Sequence, residues 1–331
     1  MKPLSSIVYV GTLAASLLAT LWLVGCASVR ERGDAGVTPR FIEEVQRAPR
    51  MLLSAEDYHP TVALVLGGGG IRGFAHLGVL RALEEAGVQP DIVVGTSAGA
   101  VVGAAYASGL SPAQIESIAQ NVKLSSLVDL TFSSSGLMRG DRIAQWIDDI
   151  TSGLPIERFP RRFAAVATDL RSGQAVIIDR GSPGAAVQAS AAVPGVNVPL
   201  AYQGGHLVDG GVASLVPVRF ARAMGADFVI AVDIYCRGPA NEGIAAPSVL
   251  LQVMRVQSCQ IAASEMAEAD VLIEPPVRVS GMSAKDQQES AIRAGYEAAR
   301  AALPRLKSQA TATARTNRVS LASFPVDVAA K

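Results

Sequence analysis

The chain has 331 residues, of which half are hydrophobic, and its 29 lysines and arginines are balanced by 29 acidic residues. A net charge of zero argues against a nucleic-acid-binding protein, which would carry a basic patch or stripe. The length is sufficient for one large domain or two small ones, with a core of substantial size.

The amino terminus has the pattern of an export signal. A lysine at position 2 precedes an uncharged stretch from Ile7 to Val24, and charged residues begin at Arg30. The Leu-Val-Gly-Cys sequence that ends at Cys26 resembles the bacterial lipoprotein signal, in which the cysteine is lipidated and becomes the new first residue. We therefore predict a signal peptide over residues 1–25. The alternative is an uncleaved membrane helix, since the stretch is long enough to cross a bilayer.

Lipidation of Cys26 would fix the location of the protein. Two or more acyl chains on one cysteine anchor a protein stably in a membrane, whereas a single chain does not. The next residue is Ala27, and not the acidic residue that retains enterobacterial lipoproteins at the inner membrane. We therefore expect a protein of the bacterial cell envelope, anchored to the outer membrane on its periplasmic side.

Beyond the signal, the chain divides into an arm, one domain and a tail. Residues 26–60 are polar and irregular and are predicted to form a tether or amino-terminal arm, with one short helix near residues 41–47. Residues 61–306 alternate apolar, strand-like runs with helical patterns, which predicts one α/β domain with a mostly parallel sheet. Residues 307–331 lack periodicity and are predicted to be a disordered tail.

The elements of the domain follow from apolar periodicity and from turn residues. The predicted strands cover residues 61–66, 91–95, 162–169, 174–179, 206–211, 227–234 and 270–274. The predicted helices cover residues 74–86, 98–107, 141–150, 183–192, 217–224, 247–268 and 283–306, and another begins at Ser111. Residues 121–140 are predicted to be irregular, with apolar side chains that could form the rim of an acyl-binding site.

One strand-to-helix turn has the pattern of a catalytic nucleophile. The sequence from Gly95 to Gly99 is Gly-Thr-Ser-Ala-Gly, which matches the G-x-S-x-G elbow that exposes a strained serine, here Ser97. Side chains at the two glycine positions would crowd such a turn. The helix that follows directs its positive end at negative charge that develops near the serine. The alternative is an ordinary turn in which the serine only caps the helix.

The glycine-rich loop after the first strand admits three interpretations. Gly68, Gly70 and Gly73 satisfy the dinucleotide pattern G-x-G-x-x-G, but no acidic residue ends the second strand to bind a ribose. A phosphate-binding P-loop would need a lysine followed by serine or threonine, and the loop instead contains Arg72. Consecutive glycine amides at the start of a helix can also form an oxyanion hole. We favour this third interpretation, because the loop and Ser97 both follow strands of one strand–helix–strand unit.

A catalytic serine also needs a base, and few histidines are available. The three histidines are His59, His76 and His206, and none follows the Asp-Gly-Gly sequence at Asp209 as the serine–acid–histidine order of α/β-hydrolases requires. His206 remains a candidate, with an ordinary strand residue as the alternative. An aspartate can serve as the base when burial raises its pKa, and the glycines after Asp209 would expose its carboxylate. The alternative for Asp209 is an ordinary Asp-Gly turn.

Together, the glycine loop, the elbow and the Asp209 turn resemble the patatin-like phospholipase family, and the resemblance extends over residues 61–306. It includes the Ala-Ser-Ala-Ala-Val-Pro segment over residues 189–194. The resemblance implies a three-layer α/β/α fold with a mostly parallel central sheet, and a serine–aspartate dyad that needs neither a metal nor another cofactor. The implied roles are nucleophile for Ser97, base for Asp209, oxyanion-hole donors for the amides of Gly68, Gly69 and Gly70, and loop positioning for Arg72.

The function implied by the resemblance is hydrolysis of ester bonds in phospholipids or other acyl lipids through an acyl-serine intermediate. An acyltransferase or thioesterase is one alternative, and a noncatalytic lipid-binding lipoprotein is another. The expected partner is membrane lipid rather than nucleic acid. Cys236 and Cys259 could pair in an oxidising compartment, but their apolar neighbours favour buried, unpaired cysteines.

Overall fold

The computed structural model describes residues 34–45, 59–238, 243–278 and 285–322. The predicted signal peptide, Cys26 and most of the predicted tether lie outside these residues. Within them, no helix combines the length and the apolar character needed to cross a bilayer.

A nine-stranded sheet forms the centre of the domain, and its main path runs in the order β1-β7-β6-β3-β2-β10-β11. Five adjacent strands are mutually parallel, in the order β6, β3, β2, β10 and β11. Strands β1 and β7 and the hairpin β8–β9 pair antiparallel with their neighbours. A separate hairpin consists of β4 and β5. The strands are β1 (Arg40–Phe41), β2 (Val62–Leu66), β3 (Ile92–Thr96), β4 (Leu130–Ser133), β5 (Gly136–Met138), β6 (Arg162–Asp169), β7 (Ala175–Ile178), β8 (Leu200–Tyr202), β9 (Gly205–Asp209), β10 (Phe228–Val232) and β11 (Val271–Ile273).

Helices cover both faces of the sheet. Alternate residues of β2 show the two layers: Leu64 and Leu66 pack on one side, and Ala63 and Val65 pack on the other. The first side is covered by α1, α2 and α8, and the second by α6 and α7. The helices are α1 (Phe74–Glu85), α2 (Ala98–Ala107), α3 (Pro112–Asn121), α4 (Asp141–Ile150), α5 (Pro183–Ser190), α6 (Val218–Ala223), α7 (Ala246–Ala267) and α8 (Lys285–Ala322).

The predicted fold class, a three-layer α/β/α arrangement around a mostly parallel sheet, is confirmed. The prediction of an irregular segment over residues 121–140 was wrong, because it contains a short 3-10 helix and the hairpin β4–β5. Strand β8 was not predicted either. These strands have three or four residues, which is too short for a clear periodicity of their own.

The last helix continues well past its predicted end. Helix α8 extends to Ala322 with Pro304 inside it, so residues 307–322 are helical, and the prediction of a tail without regular structure was wrong for them. Alanines recur through this segment, and alanine has the highest intrinsic helix propensity. Residues 323–331 lie outside the described part of the chain.

The two cysteines outside the predicted signal are paired. A disulfide joins Cys236, in the loop after β10, to Cys259 in the middle of α7, and their Cα atoms are 5.5 Å apart. The expectation of buried, unpaired cysteines was therefore wrong, because α7 packs next to the loop that contains Cys236. The pairing fits an oxidising compartment.

Candidate active site

Ser97 lies between β3 and α2 in a backbone conformation that ordinary residues avoid. Its φ of 53° and ψ of −119° place it in a positive-φ region, and its carbonyl accepts the first hydrogen bonds of α2 from Ala100 and Val101. The flanking glycines permit this turn. A Cβ on Gly99 would lie 1.9 Å from the carbonyl oxygen of Leu66, and one on Gly95 would lie 2.4 Å from the carbonyl oxygen of Gly99. Both glycines therefore allow backbone segments to touch beneath the serine.

A second serine fixes the backbone of Ser97. The Ser97 amide donates to the Oγ of Ser190 at 2.8 Å, and this hydroxyl donates in turn to the carbonyl oxygen of Val166 at 2.6 Å. Ser190 is fully buried at the end of α5. Its hydroxyl therefore bridges the nucleophile's turn and the neighbouring strand β6.

The Ser190→Ala substitution is expected to lower kcat by about 10- to 100-fold and stability by about 2 kcal/mol. It leaves two buried backbone groups without partners and lets the nucleophile shift. Steady-state kinetics on a soluble ester and thermal unfolding would measure both effects. Ser108→Ala, which removes a hydroxyl at the far end of α2, is the matched control. A Ser190→Ala enzyme with an unchanged kcat would contradict a positioning role.

Asp209 ends β9, and its carboxylate is buried beside Ser97. Its carboxylate accepts a hydrogen bond from the Gly211 amide at 2.7 Å. Burial raises the pKa of Asp209 to about 6, although the Gly211 amide and the nearby Ser97 side chain oppose the rise. The carboxylate is thus ionised at neutral pH but takes up a proton more readily than an ordinary aspartate does.

Strand β6 brings the two residues together. Its first part pairs with β3, with Val166 opposite Thr96, and its last part pairs with β9, with Ala167 opposite Asp209. The end of β3 and the end of β9 therefore meet at successive positions of one strand. A Cβ on Gly210 would lie 2.2 Å from the carbonyl oxygen of Val166, so the turn after Asp209 also needs a glycine to come this close.

The glycine loop lies next to Ser97, but not all of its predicted donors are available. A Cβ on Gly68 would be 3.4 Å from the Cβ of Ser97, which makes the two residues neighbours. The Gly68 amide, however, donates to the carbonyl oxygen of Leu215 at 3.0 Å. The prediction of Gly68 as an oxyanion-hole donor was therefore wrong, because the segment after Asp209 runs alongside the loop and uses that amide.

The remaining two glycines stay candidates for the oxyanion hole. Gly69 caps a short 3-10 helix (Gly70–Gly73) and Gly70 is its first residue, so their amides have no acceptor within it. Gly70 has a φ of 57° and lines the same cavity as Ser97. Gly69 has no room for a side chain, since a Cβ would lie 2.8 Å from Ile234.

Arg72 connects the glycine loop to the loop that follows β10. Its guanidinium lies 5.2 Å from the ring centroid of Tyr235, and its amide donates to the carbonyl oxygen of Gly69. The ring of Tyr235 also faces Arg255 of α7 at 5.4 Å. Arg72 thus holds the loop through its backbone and its side chain. Tyr235 belongs to no local motif, so the sequence pattern did not indicate its role.

The three histidines take no part in the dyad. His76 is fully buried, bonds to the carbonyl oxygen of Gly67 at 2.9 Å, and has a pKa that burial lowers to about 4. His206 is exposed and lies three residues before Asp209 on β9, so the two side chains point to opposite faces of the strand. His59 precedes β2, at the edge of the sheet opposite Ser97. The candidate role of His206 was therefore wrong.

An apolar cavity of about 380 Å³ opens beside Ser97. It runs along α2, where Ala98, Val101 and Ala105 line it at successive turns. The predicted rim segment contributes to its wall, as expected, and so do α3 and α4. Other apolar residues in the wall are Phe74, Leu77, Ile115, Ile118, Leu124, Leu127, Val128, Met138, Ile143, Trp146 and Ile150.

The geometry combines a strained serine, a buried aspartate, free glycine amides and an apolar cavity. Residues 64–222, which contain Ser97 and Asp209, match the family model described as patatin-like phospholipase. They belong to the patatin-like phospholipase family. The patatin-like domain therefore includes the elbow and the Asp209 turn, and it begins just ahead of the glycine loop.

Relatives of the patatin-like domain occur in distant organisms. The chain is 38% identical over 200 residues to an uncharacterised NTE-family protein of Mycobacterium tuberculosis, an alignment covering 59% of this chain and 55% of that protein. It is 38% identical over 182 residues to patatin-like phospholipase domain-containing protein 6 of Mus musculus, covering 53% of this chain and 13% of that protein. The chain thus spans about half the length of its mycobacterial relatives.

The fold has a counterpart among solved structures. The crystal structure of VipD from Legionella pneumophila superposes with a TM-score of 0.52 at 16% identity, covering 76% of this chain and 67% of VipD. This likeness concerns the arrangement of the patatin-like domain alone.

Proposed function

We propose that this protein is a serine acyl hydrolase that cleaves ester bonds of phospholipids or other acyl lipids through an acyl-Ser97 intermediate. The observation that carries the proposal is the position of the strained Ser97 turn next to the buried Asp209 carboxylate, at successive positions of β6 and beside an apolar cavity. Membership of the patatin-like phospholipase family supports it.

Acylation begins when the Ser97 oxygen attacks the ester carbonyl carbon and the Asp209 carboxylate takes the hydroxyl proton. The carbonyl oxygen becomes negatively charged, and the amides of Gly69 and Gly70, together with the positive end of α2, stabilise it. The bond from the carbonyl carbon to the leaving alcohol then breaks. Asp209 returns its proton to the alcohol oxygen, which leaves an acyl group on Ser97.

Deacylation repeats the sequence with water. Asp209 takes a proton from a water molecule as its oxygen attacks the acyl-Ser97 carbonyl carbon. The bond to the Ser97 oxygen then breaks, and the proton on Asp209 passes to that oxygen. The fatty acid leaves, and serine and aspartate regain their starting states. The aspartate acts directly on the serine and on water, so this cycle needs no histidine.

The shape and chemistry of the site favour a lipid substrate. The cavity wall is formed mainly by apolar side chains, which suit an acyl chain. The carboxylate of Asp129, which also lines it, accepts hydrogen bonds from the amides of Gly140 and Asp141. Lipidation of Cys26 would hold the enzyme at the surface where such substrates lie. We propose a cell-envelope location at the outer membrane for this reason.

The direct test uses the purified full chain with two substrates, a nitrophenyl butyrate ester and phosphatidylcholine vesicles. We expect nitrophenol release from the first and fatty acid release from the second, and a fluorophosphonate probe should label Ser97. Failure of both substrates together with an unlabelled Ser97 would contradict the proposal and favour a noncatalytic lipid-binding protein.

A bulky side chain in the cavity wall should limit the length of acyl chain that fits, according to its distance from Ser97. Val101 and Ala105 follow Ser97 by one and two helical turns, at about 6 and 12 Å along the axis. Ala105→Phe is expected to lower kcat/KM for palmitoyl esters by about tenfold or more and to leave butyryl esters unaffected. Val101→Phe should also exclude chains of intermediate length. A series of nitrophenyl esters would measure this, with melting temperatures to check folding. Equal losses on all chain lengths would contradict this use of the cavity.

A further inference from the structure

The first part of α7 projects from the domain with its large aliphatic side chains exposed. Ser258 is the first buried residue of this helix, and none of the described side chains before it in α7 is buried. The disulfide at Cys259 marks the level of the loop that follows β10. The far end of α7 leads back to Asp270, whose amide bonds to Val229 at the start of β10. Residues 246–254 therefore extend past the carboxyl edge of the sheet.

This projecting segment has a wide apolar arc. Its sequence is Ala-Pro-Ser-Val-Leu-Leu-Gln-Val-Met, with no charged and no aromatic residue. At 100° per residue, its large apolar side chains cover about 200° of the helix circumference, and Ser248 and Gln252 occupy the remaining side. Such a wide apolar arc is normally buried, either against a protein core or in a membrane. The exposed fractions are 44% for Val249, 55% for Leu250, 40% for Leu251 and 46% for Val253.

The segment lies on the same edge of the sheet as Ser97, since β3 and β10 are parallel and both end there. A hollow of about 480 Å³ separates α7 from Val212, three residues after Asp209. The helix and the turn that contains the predicted base therefore face the same hollow, with Met254 and Ile261 on the helix side and Val212 on the turn side.

The length and chemistry of the segment fit a lipid bilayer. Nine helical residues span about 14 Å, and one leaflet of a bilayer provides about 15 Å of hydrocarbon. The first charge along the helix is Arg255, whose guanidinium donates to the carbonyl oxygens of Tyr235 and Cys236 at the level of the loop. A protein partner would typically meet aromatic and arginine anchors, and residues 246–254 have neither.

We infer that residues 246–254 insert into one leaflet of a phospholipid bilayer and turn the site edge of the domain toward the lipid. The inference extends the proposed function, because it gives Ser97 access to lipids in the same leaflet. It differs from the predicted anchor at Cys26, which lies in another part of the chain. Insertion itself requires no catalysis.

The experiment measures insertion with tryptophan reporters in the full chain carrying Ser97→Ala, so that the vesicles stay intact. Val253→Trp and Leu250→Trp place the reporter on the segment, and Glu297→Trp on α8 places it on the opposite face of the sheet as the control. Each variant is mixed with phosphatidylcholine vesicles whose acyl chains are brominated. The parent chain without an added tryptophan provides the background.

We expect a blue shift and bromine quenching for the two α7 reporters, stronger for Leu250→Trp because it lies nearer the tip, and neither for Glu297→Trp. Two reporters are used because one substitution could disturb folding. Unquenched α7 reporters would overturn the inference. So would light scattering that shows a lipid-independent dimer burying both reporters. Loss of hydrolase activity in the Ser97-intact chain, with quenching retained, would contradict the proposed function alone.

Discussion

Ser97→Ala is expected to lower kcat/KM for nitrophenyl butyrate and for phospholipid by at least about 10⁴-fold while the fold is retained. The alanine has no oxygen to attack the ester. Asp209 cannot move in to act as the nucleophile instead, because its backbone is fixed: its amide donates to the carbonyl oxygen of Ala192 at 2.8 Å, and its carbonyl oxygen accepts from the Thr168 hydroxyl at 3.0 Å. Residual rate would come from the glycine amides and substrate binding alone.

The matched control for this variant is Ser108→Ala at the other end of α2. It should hydrolyse both substrates at the rate of the unmodified chain and react with the fluorophosphonate probe, whereas Ser97→Ala should not react. Circular dichroism and melting temperature establish that both variants fold. Full activity in Ser97→Ala would exclude this serine as the nucleophile.

The same assay separates hydrolase from transferase. An acyl-Ser97 intermediate partitions between water and any other acceptor that reaches it. Adding a lysolipid or a short alcohol should leave free fatty acid as the main product if the protein is a hydrolase. Predominant transfer to the added acceptor would instead identify an acyltransferase that uses the same serine.

Asp209→Asn is expected to lower activity by about 10³-fold or more and, above pH 6, to raise stability. The loss of activity follows because an amide cannot take the serine proton. For the unmodified chain, kcat/KM should rise with pH and reach half of its plateau near pH 6, where the buried base becomes ionised.

The effect on stability follows from the raised pKa. Below the ordinary pKa of 3.8, the carboxyl is protonated in both the folded and the unfolded chain and changes nothing. As the pH rises toward 6, the unfolded chain has released the proton while the folded chain keeps it, and folding is progressively penalised. Above pH 6 the penalty is constant, at up to about 3 kcal/mol. The asparagine variant lacks this penalty.

Thermal unfolding at pH 8 and at pH 4 measures the effect. The melting temperature of Asp209→Asn should exceed that of the unmodified chain by several degrees at pH 8, and the two should converge at pH 4. Asp91→Asn, at the opposite end of the sheet, is the control and should alter neither kinetics nor the pH profile. A lower melting temperature for Asp209→Asn at pH 8 would show that the carboxylate stabilises the fold.

The parts of the site that lie in one short segment could be predicted from the sequence. Gly95, Ser97 and Gly99 are within five residues, and the strand before them and the helix after them identify the turn. Asp209 was predicted through its glycine neighbours and a family resemblance. The bond from the Gly68 amide to Leu215 could not be predicted, because the two residues are 147 positions apart and no pattern links them.

The same holds for the fold: elements with a signal in their own short segment could be predicted, and features that depend on distant contacts could not. Strands β2, β3 and β10 are buried on both faces, and their continuous apolar runs identified them. The hairpin β4–β5 forms in a serine-rich segment with strands of three or four residues, so periodicity did not show it. Ser190 and Tyr235 act through contacts between distant loops. The projecting part of α7 was predicted as a helix, but its exposure depends on what the rest of the chain leaves uncovered.

The pairing of β6 with both β3 and β9 determines when the proposed pair of Ser97 and Asp209 can form. The serine is synthesised more than a hundred residues before the aspartate, and the two meet only after β6 has captured both strands. A nascent or unfolded chain therefore has a hydroxyl and a carboxylate but no dyad. The lipid cleavage proposed above would therefore be confined to chains that have completed this assembly.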